Sequence, residues 1–95
     1  MVELTALIET TEGVAGGRPS LAGSGMPVIQ IAVHYSRGET PRRILRRYPH
    51  LDLQRVHAAI AYYLANKSEM DAEIESDARE FDRARSAQKA MARTV

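Results

Sequence analysis

Four arginines fall within six consecutive positions: Arg42, Arg43, Arg46 and Arg47. On a helix, Arg42 and Arg46 lie one turn apart, as do Arg43 and Arg47. Like charges at that spacing repel, and a bound anion relieves the repulsion. The guanidinium fork grips phosphate through two parallel bonds, which a lysine cannot do. A few residues on come Gln54 and Arg55, the side-chain types that pair with adenine and guanine edges in a major groove. The chemistry these residues offer is recognition of nucleic acid. The same arginines also suit a solvated basic face, or salt bridges to acidic residues elsewhere in the chain, and these alternatives stay open at this stage.

Other chemistry has little to build on. His34, His50 and His57 have no cysteine beside them, and no two are spaced to share a metal, so no metal site and no cofactor is expected. Asp71, Glu75 and Asp77 belong on an open helix rather than in a pocket. No nucleophile has a base beside it, so an enzyme is not expected. Five glycines (Gly13, Gly16, Gly17, Gly23 and Gly25) crowd a short stretch, but no Gly-Lys-Ser/Thr follows. That spacing fits turn geometry better than a phosphate loop.

Composition sets the frame for these residues. The chain has 95 residues, a formal charge of +1, no Cys and no Trp. Absence of Cys removes disulfide scaffolds and cysteine-ligated metals and gives no reason to expect a compartment other than the cytoplasm. No apolar run approaches the roughly 20 residues that span a bilayer, so no membrane partner is expected. The small net charge conceals blocks: −1 over residues 1–38, +4 over 39–67 and −2 over 68–95. Within the last block, residues 69–82 hold seven acids and only Arg79, whereas 83–93 hold Arg83, Arg85, Lys89 and Arg93 with no acid. Blocks of one sign mark interaction surfaces more often than core.

Local signals predict the elements that carry the arginines. Residues 2–11 suit a short strand and Ser20–Ala22 a second. Pro27 fits the first position of a helix containing Val28, Ile31, Ala32 and Tyr35, with Gly38 as its C-terminal cap, although the β-branched run Val28–Val33 leaves a strand open. Thr40 caps a second helix with Pro41 in its first position and Ile44, Leu45 and Tyr48 facing inward; Pro49 ends it. Asp52 caps a third. Leu51 and Val56 staple its start, and Leu53, Val56, Ile60, Tyr63 and Leu64 form its stripe. Gln54, Arg55 and Ala58 are expected outward, and Ala58, Ala61 and Ala65 form a small-residue strip. Two helices joined by Pro49, His50 and Leu51 make a helix-turn-helix, whose second helix enters the major groove while the first crosses the backbone.

Ser68 and Asp71 suggest a further helix start. No Gly or Pro follows through Val95. The apolar positions Met70, Ile74, Ala78, Phe81, Ala84, Ala87 and Met91 form a narrow stripe on a polar helix, which is marginal alone and calls for a partner to bury Met70, Ile74 and Phe81. The expected division is residues 1–67 as strands plus helix-turn-helix and 68–95 as a helical tail.

The stretch Gly13-Val14-Ala15-Gly16-Gly17-Arg18-Pro19, then Gly23 and Met26-Pro27-Val28, resembles the opening of the domain-of-unknown-function 433 family. Gly38-Glu39-Thr40-Pro41, Ile44-Leu45, Tyr48-Pro49-His50-Leu51 and Val56-His57-Ala58-Ala59-Ile60-Ala61-Tyr62 extend the resemblance to about residue 66. It departs at Gly25, where the family pattern carries Arg. The resemblance implies a mainly α fold: a homeodomain-like three-helix helix-turn-helix domain preceded by short β-strands, which favours a helix at Pro27–Ser36. It also implies a VapBC-type antitoxin that binds operator DNA, represses its own operon as a homodimer or within a larger toxin–antitoxin hetero-oligomer, and neutralises a PIN-like nuclease toxin through its C-terminal tail. DNA contacts are then expected from Arg42, Arg43, Arg46, Arg47, Gln54 and Arg55. Toxin contacts are expected from Met70, Ile74, Phe81 and Met91 as apolar anchors, with Arg83, Arg85, Lys89 and Arg93 supplying cations to the carboxylates of the nuclease centre. A stand-alone helix-turn-helix regulator and a helical adaptor that binds no nucleic acid are the alternatives.

Overall fold

A computed structural model of the chain describes residues 4–13 and 15–93. Two short strands, β1 (Ile8–Glu9) and β2 (Ser20–Leu21), pair antiparallel with Ile8 opposite Leu21 and Glu9 opposite Ser20. Four helices follow: α1 (Val28–Ser36), α2 (Pro41–Arg47), α3 (Leu53–Ala65) and α4 (Lys67–Arg93). The fold is mainly helical, with a small helix-turn-helix body and a C-terminal helix.

The predicted first strand is mostly something else. Leu4–Leu7 forms a 3-10 turn, and only Ile8–Glu9 is extended; residues 2 and 3 lie outside the described residues. Leu7 is buried, and its carbonyl accepts from Ala22 N–H at 2.8 Å. Both residues of β2 are fully buried because the chain hems them in. Leu21 N–H donates to Met26 at 2.8 Å, and Val28 N–H donates to Pro19 at 2.9 Å. That last bond uses a donor at the start of α1 that the helix itself leaves unpaired. Pro27 is accordingly the extended residue before α1 rather than its first residue. Gly38 adopts φ 91° just past the end of α1, a conformation that favours glycine, and donates to Tyr35 at 3.0 Å.

The caps of the helix pair form as the local signals require. Thr40 Oγ1 accepts from Arg43 N–H at 3.2 Å, and Asp52 Oδ1 accepts from Arg55 N–H at 2.8 Å. Pro41 opens α2, and Leu51 and Val56 are both buried around the start of α3. The core gathers Leu21, Val28, Ile31, Ile44, Leu51, Val56, Ile60 and Tyr63. Tyr35 and Tyr63 meet edge to face at 6.2 Å, which ties α1 to α3.

Three expectations about α3 and α4 need correction. Ala58, expected outward, is buried, because the 3-10 turn at Leu4–Leu7 packs against α3 on a side away from the main core. Leu64, expected inward, is 53% exposed. Ser68 caps nothing, because Asn66 alone separates the two helices and α4 is already helical at Lys67. Asp71 instead accepts from Tyr63 Oη and Lys67 Nζ, each at 2.6 Å, and so ties the first turn of α4 to α3.

The tail does not need an outside partner to bury its first anchors. Met70 is a member of the core cluster, and Ile74 packs against it. Arg18 grips Asp77 through two bonds, at 2.8 and 3.2 Å, one helical turn beyond Ile74. Beyond Asp77 every described side chain through Lys89 is exposed. The molecule is therefore long, 59 Å against 29 and 27 Å across.

Candidate nucleic-acid interface and the free end of α4

The α1–α2 turn decides which arginines are free. Glu39 sits one residue before the α2 cap, with only 13% of its side chain exposed. Its Oε1 accepts from Arg47 Nε at 2.7 Å and lies 3.7 Å from Arg43 Nε. Its Oε2 lies 2.7 Å from His34 Nδ1. A carboxylate only accepts, so Nδ1 carries the hydrogen. His34 Nε2 is then left to accept from Tyr48 Oη, 2.9 Å away, and Tyr48 Oη accepts in turn from Gln30 Nε2 at 3.3 Å. The chain Arg47–Glu39–His34–Tyr48–Gln30 fastens α1 to both ends of α2. The Arg47 bond first, and the His34 bond second, hold the Glu39 carboxyl below the ordinary glutamate range.

The arginine quartet thus splits in two. Arg43 and Arg47 share the charge of Glu39. Arg42 and Arg46 are exposed, and among the described residues no carboxylate lies within salt-bridge distance of either. They border a shallow depression floored by Leu45, Pro49 and Leu51. All four arginines expected at phosphate are exposed, but they differ in surroundings: Arg43 and Arg47 share one carboxylate, and Arg42 and Arg46 do not.

On α3, Gln54 is exposed as expected. Arg55 is not. Its Nε donates to the Ala22 carbonyl at 2.9 Å, and its Nη1 bonds the Asp52 carboxylate. This guanidinium braces the loop after β2 against the start of α3, and reading a base would require it to leave both partners. Beside it, Gly23, Ser24, His50 and Asp52 line a polar cleft. Gly25, the point of departure from the family pattern, has φ 70° and open space where a side chain would stand. The positive φ, rather than crowding, is what favours glycine there.

The tail residues also divide. Met70 and Ile74 are committed to the body of the molecule, while Phe81 is 67% exposed. Arg83, Arg85 and Lys89 are exposed on one uninterrupted helix. The side chains of Met91 and Arg93 lie outside the described residues. Sequence reasoning missed the parts of the site that cross between elements: Glu39 and His34 as the partners of the arginine helix, and Arg18 as the clamp on α4. A carboxylate adjoining the Thr40–Pro41 helix start was the available signal for Glu39.

Among the described residues no group of three or more His, Asp or Glu side chains could hold a metal ion, and no helix is long and apolar enough to cross a membrane.

Comparison with known proteins matches this geometry to one family. A family model described as protein of unknown function (DUF433) matches residues 8–63. The chain is similar to the uncharacterized protein y4eO of Sinorhizobium fredii, 28% identical over 60 residues, covering 63% of this chain and 27% of that protein. It therefore spans about a quarter of that relative's length. It is also similar to the crystal structure of a DUF433 member protein from Anabaena variabilis, with a TM-score of 0.66 and 30% identity over 76% of this chain and 71% of that one.

Proposed function

The chain belongs to the DUF433 family, and from that premise we propose that it is the antitoxin of a type II toxin–antitoxin pair, a non-enzymatic protein that works in the cytoplasm. In this reading the helix-turn-helix holds operator DNA through Arg42 and Arg46, with Gln54 at the base edges, and the free end of α4 inhibits a PIN-like ribonuclease toxin. The observation that carries it is α4 itself. Its first turns are fixed to the body by Met70 and by Arg18–Asp77, and it then runs on with Phe81 two-thirds exposed at the edge of a groove against α1 and with Arg83, Arg85 and Lys89 open. A helix so anchored presents an apolar and basic end at a fixed distance from the arginine surface, as an inhibitor of a carboxylate-lined nuclease requires. The two surfaces lie on different elements and can serve different partners.

Glu39 favours one rival. Because its one negative charge offsets part of the charge of Arg43 and Arg47, the basic face is weaker than the sequence suggests, which suits a helical adaptor that binds no nucleic acid. DNA from upstream of the chain's own reading frame separates the two. The antitoxin reading expects binding that falls steeply with salt and is preferred over unrelated DNA. Equal, weak binding to both DNAs would favour the adaptor.

A further inference from the structure

The open face of α3 is narrow. At 100° per residue, Gln54, His57 and Ala61 fall within an arc of about 60°, and all three are exposed. The positions on one side of that arc are taken. Arg55 is held by Ala22 and Asp52, and Ala58 lies under the 3-10 turn at Leu4–Leu7. His57 differs from both: among the described residues the hydrogen-bonded histidine is His34, and the His57 ring has no partner. The surroundings suit a polyanion. Of the chain's 12 acids, Asp52 alone falls between residues 40 and 68, and it is bonded to Arg55. Arg42 and Arg46 stand open on the neighbouring helix.

We propose that this strip lies along the base edges of a duplex major groove and that His57 selects guanine there. The inference rests on the DNA binding proposed above and names the side chains that read sequence once Arg55 is excluded. In either neutral tautomer one ring nitrogen of His57 carries a hydrogen. Guanine offers that donor two adjacent acceptors, N7 and O6, whereas adenine offers an acceptor beside a donor. Gln54, with an amide donor and acceptor, matches the adenine edge. Ala61 adds only a methyl group, which lets the helix sit close to the bases. From residue 54 to 61 α3 rises about 10.5 Å, close to three base-pair steps of about 3.4 Å, so Gln54 and His57 meet neighbouring base pairs. Steps of three and then four residues are those by which a helix lying along the groove presents its reading side chains.

Selection from a randomised duplex library tests this. The native chain should enrich a sequence with adenine and guanine at neighbouring base pairs. His57→Ala should lose at least about fivefold of the guanine preference. It should keep the adenine, the slope of log affinity against log salt and the native unfolding midpoint, because the ring touches a base and neither phosphate nor core. His57→Gln should turn the guanine position towards adenine, and Gln54→Ala should relax the adenine alone. A native preference that lacks the guanine or survives His57→Ala unchanged overturns the proposal and leaves DNA binding standing. So does a His57→Ala chain that binds all sequences equally less well with a flatter salt slope. A native chain that enriches no sequence overturns this proposal and the DNA reading together.

Discussion

Glu39 Oε1 stands 2.7 Å from Arg47 Nε, and this pair sets how much of the basic helix is available to a partner. The carboxylate is held in place by His34 from the other side, so it cannot swing away without breaking a second bond. Arg43 shares it at 3.7 Å. Arg42 and Arg46, about a quarter turn round α2, are the pair that no carboxylate engages among the described residues.

Replacing Arg42 and Arg46 with alanine should lower DNA affinity and reduce the slope of log affinity against log salt by about 1.8, at roughly 0.9 per phosphate contact. The Arg43 and Arg47 double substitution should change the slope much less. Fluorescence anisotropy over a salt series reads both. Equal slopes for the two double variants would contradict the split.

Glu39→Gln should act in the reverse direction on binding by releasing Arg43 and Arg47, and the salt slope should steepen. It should also alter acid stability. The folded carboxyl titrates below its unfolded value because Arg47 and then His34 stabilise its charge. Its contribution is therefore complete above the usual glutamate value of about 4.3 and is lost as pH falls through the lower folded value. Thermal midpoints measured down an acid series should fall for the native chain in that window. The variant should start lower at neutral pH and fall less steeply there.

Met70→Ala should destabilise the body by about 2–5 kcal/mol, the usual range for truncating a buried long side chain. Phe81→Ala should leave the stability of the monomeric body near its native value, because the ring is 67% exposed. Urea unfolding distinguishes the two. The same asymmetry governs truncation. A chain ending at residue 80 keeps Met70, Ile74 and Asp77 and should stay folded, whereas one ending at residue 67 loses a core residue and should unfold at markedly lower denaturant.

Asp77→Asn should cost little, about 0.2–1 kcal/mol, because both partners of the Arg18–Asp77 pair are more than two-fifths exposed and solvent screens them. Its effect should appear as faster amide exchange in α4 near residue 77 rather than as a shift of the whole unfolding curve.

The readable parts of this fold are those whose causes are local. Thr40 and Pro41 start α2, Asp52 starts α3, and Gly38 ends α1, because each satisfies or removes a backbone donor within a few residues of itself. Leu51 and Val56 are placed by the same short-range logic. Ala58 escaped because its cover, the 3-10 turn at Leu4–Leu7, arrives from the far end of the chain. Leu64 escaped because it sits in the last turn of α3, where more than half of it stays open to solvent. The basic site was legible as a set of arginines, but not as two unequal pairs. The division depends on a carboxylate that reaches over the helix start and on a histidine from the preceding helix, and spacing carries no information about such angles. Met70 and Ile74 were legible as an apolar line. That the body itself covers them follows from the abrupt turn at Asn66 and from Arg18, 59 positions away from Asp77 in sequence.

The central claim is that the free end of α4 silences a nuclease while the body binds DNA. The most direct measurement takes the product of the adjacent reading frame, which the account expects to be a PIN-like ribonuclease, and assays its cleavage of RNA with the full chain and with a chain ending at residue 80. The account predicts that the full chain abolishes cleavage and that the shortened chain, still folded and still binding operator DNA, leaves cleavage intact. Undiminished cleavage with the full chain, or equal inhibition by both, would contradict it.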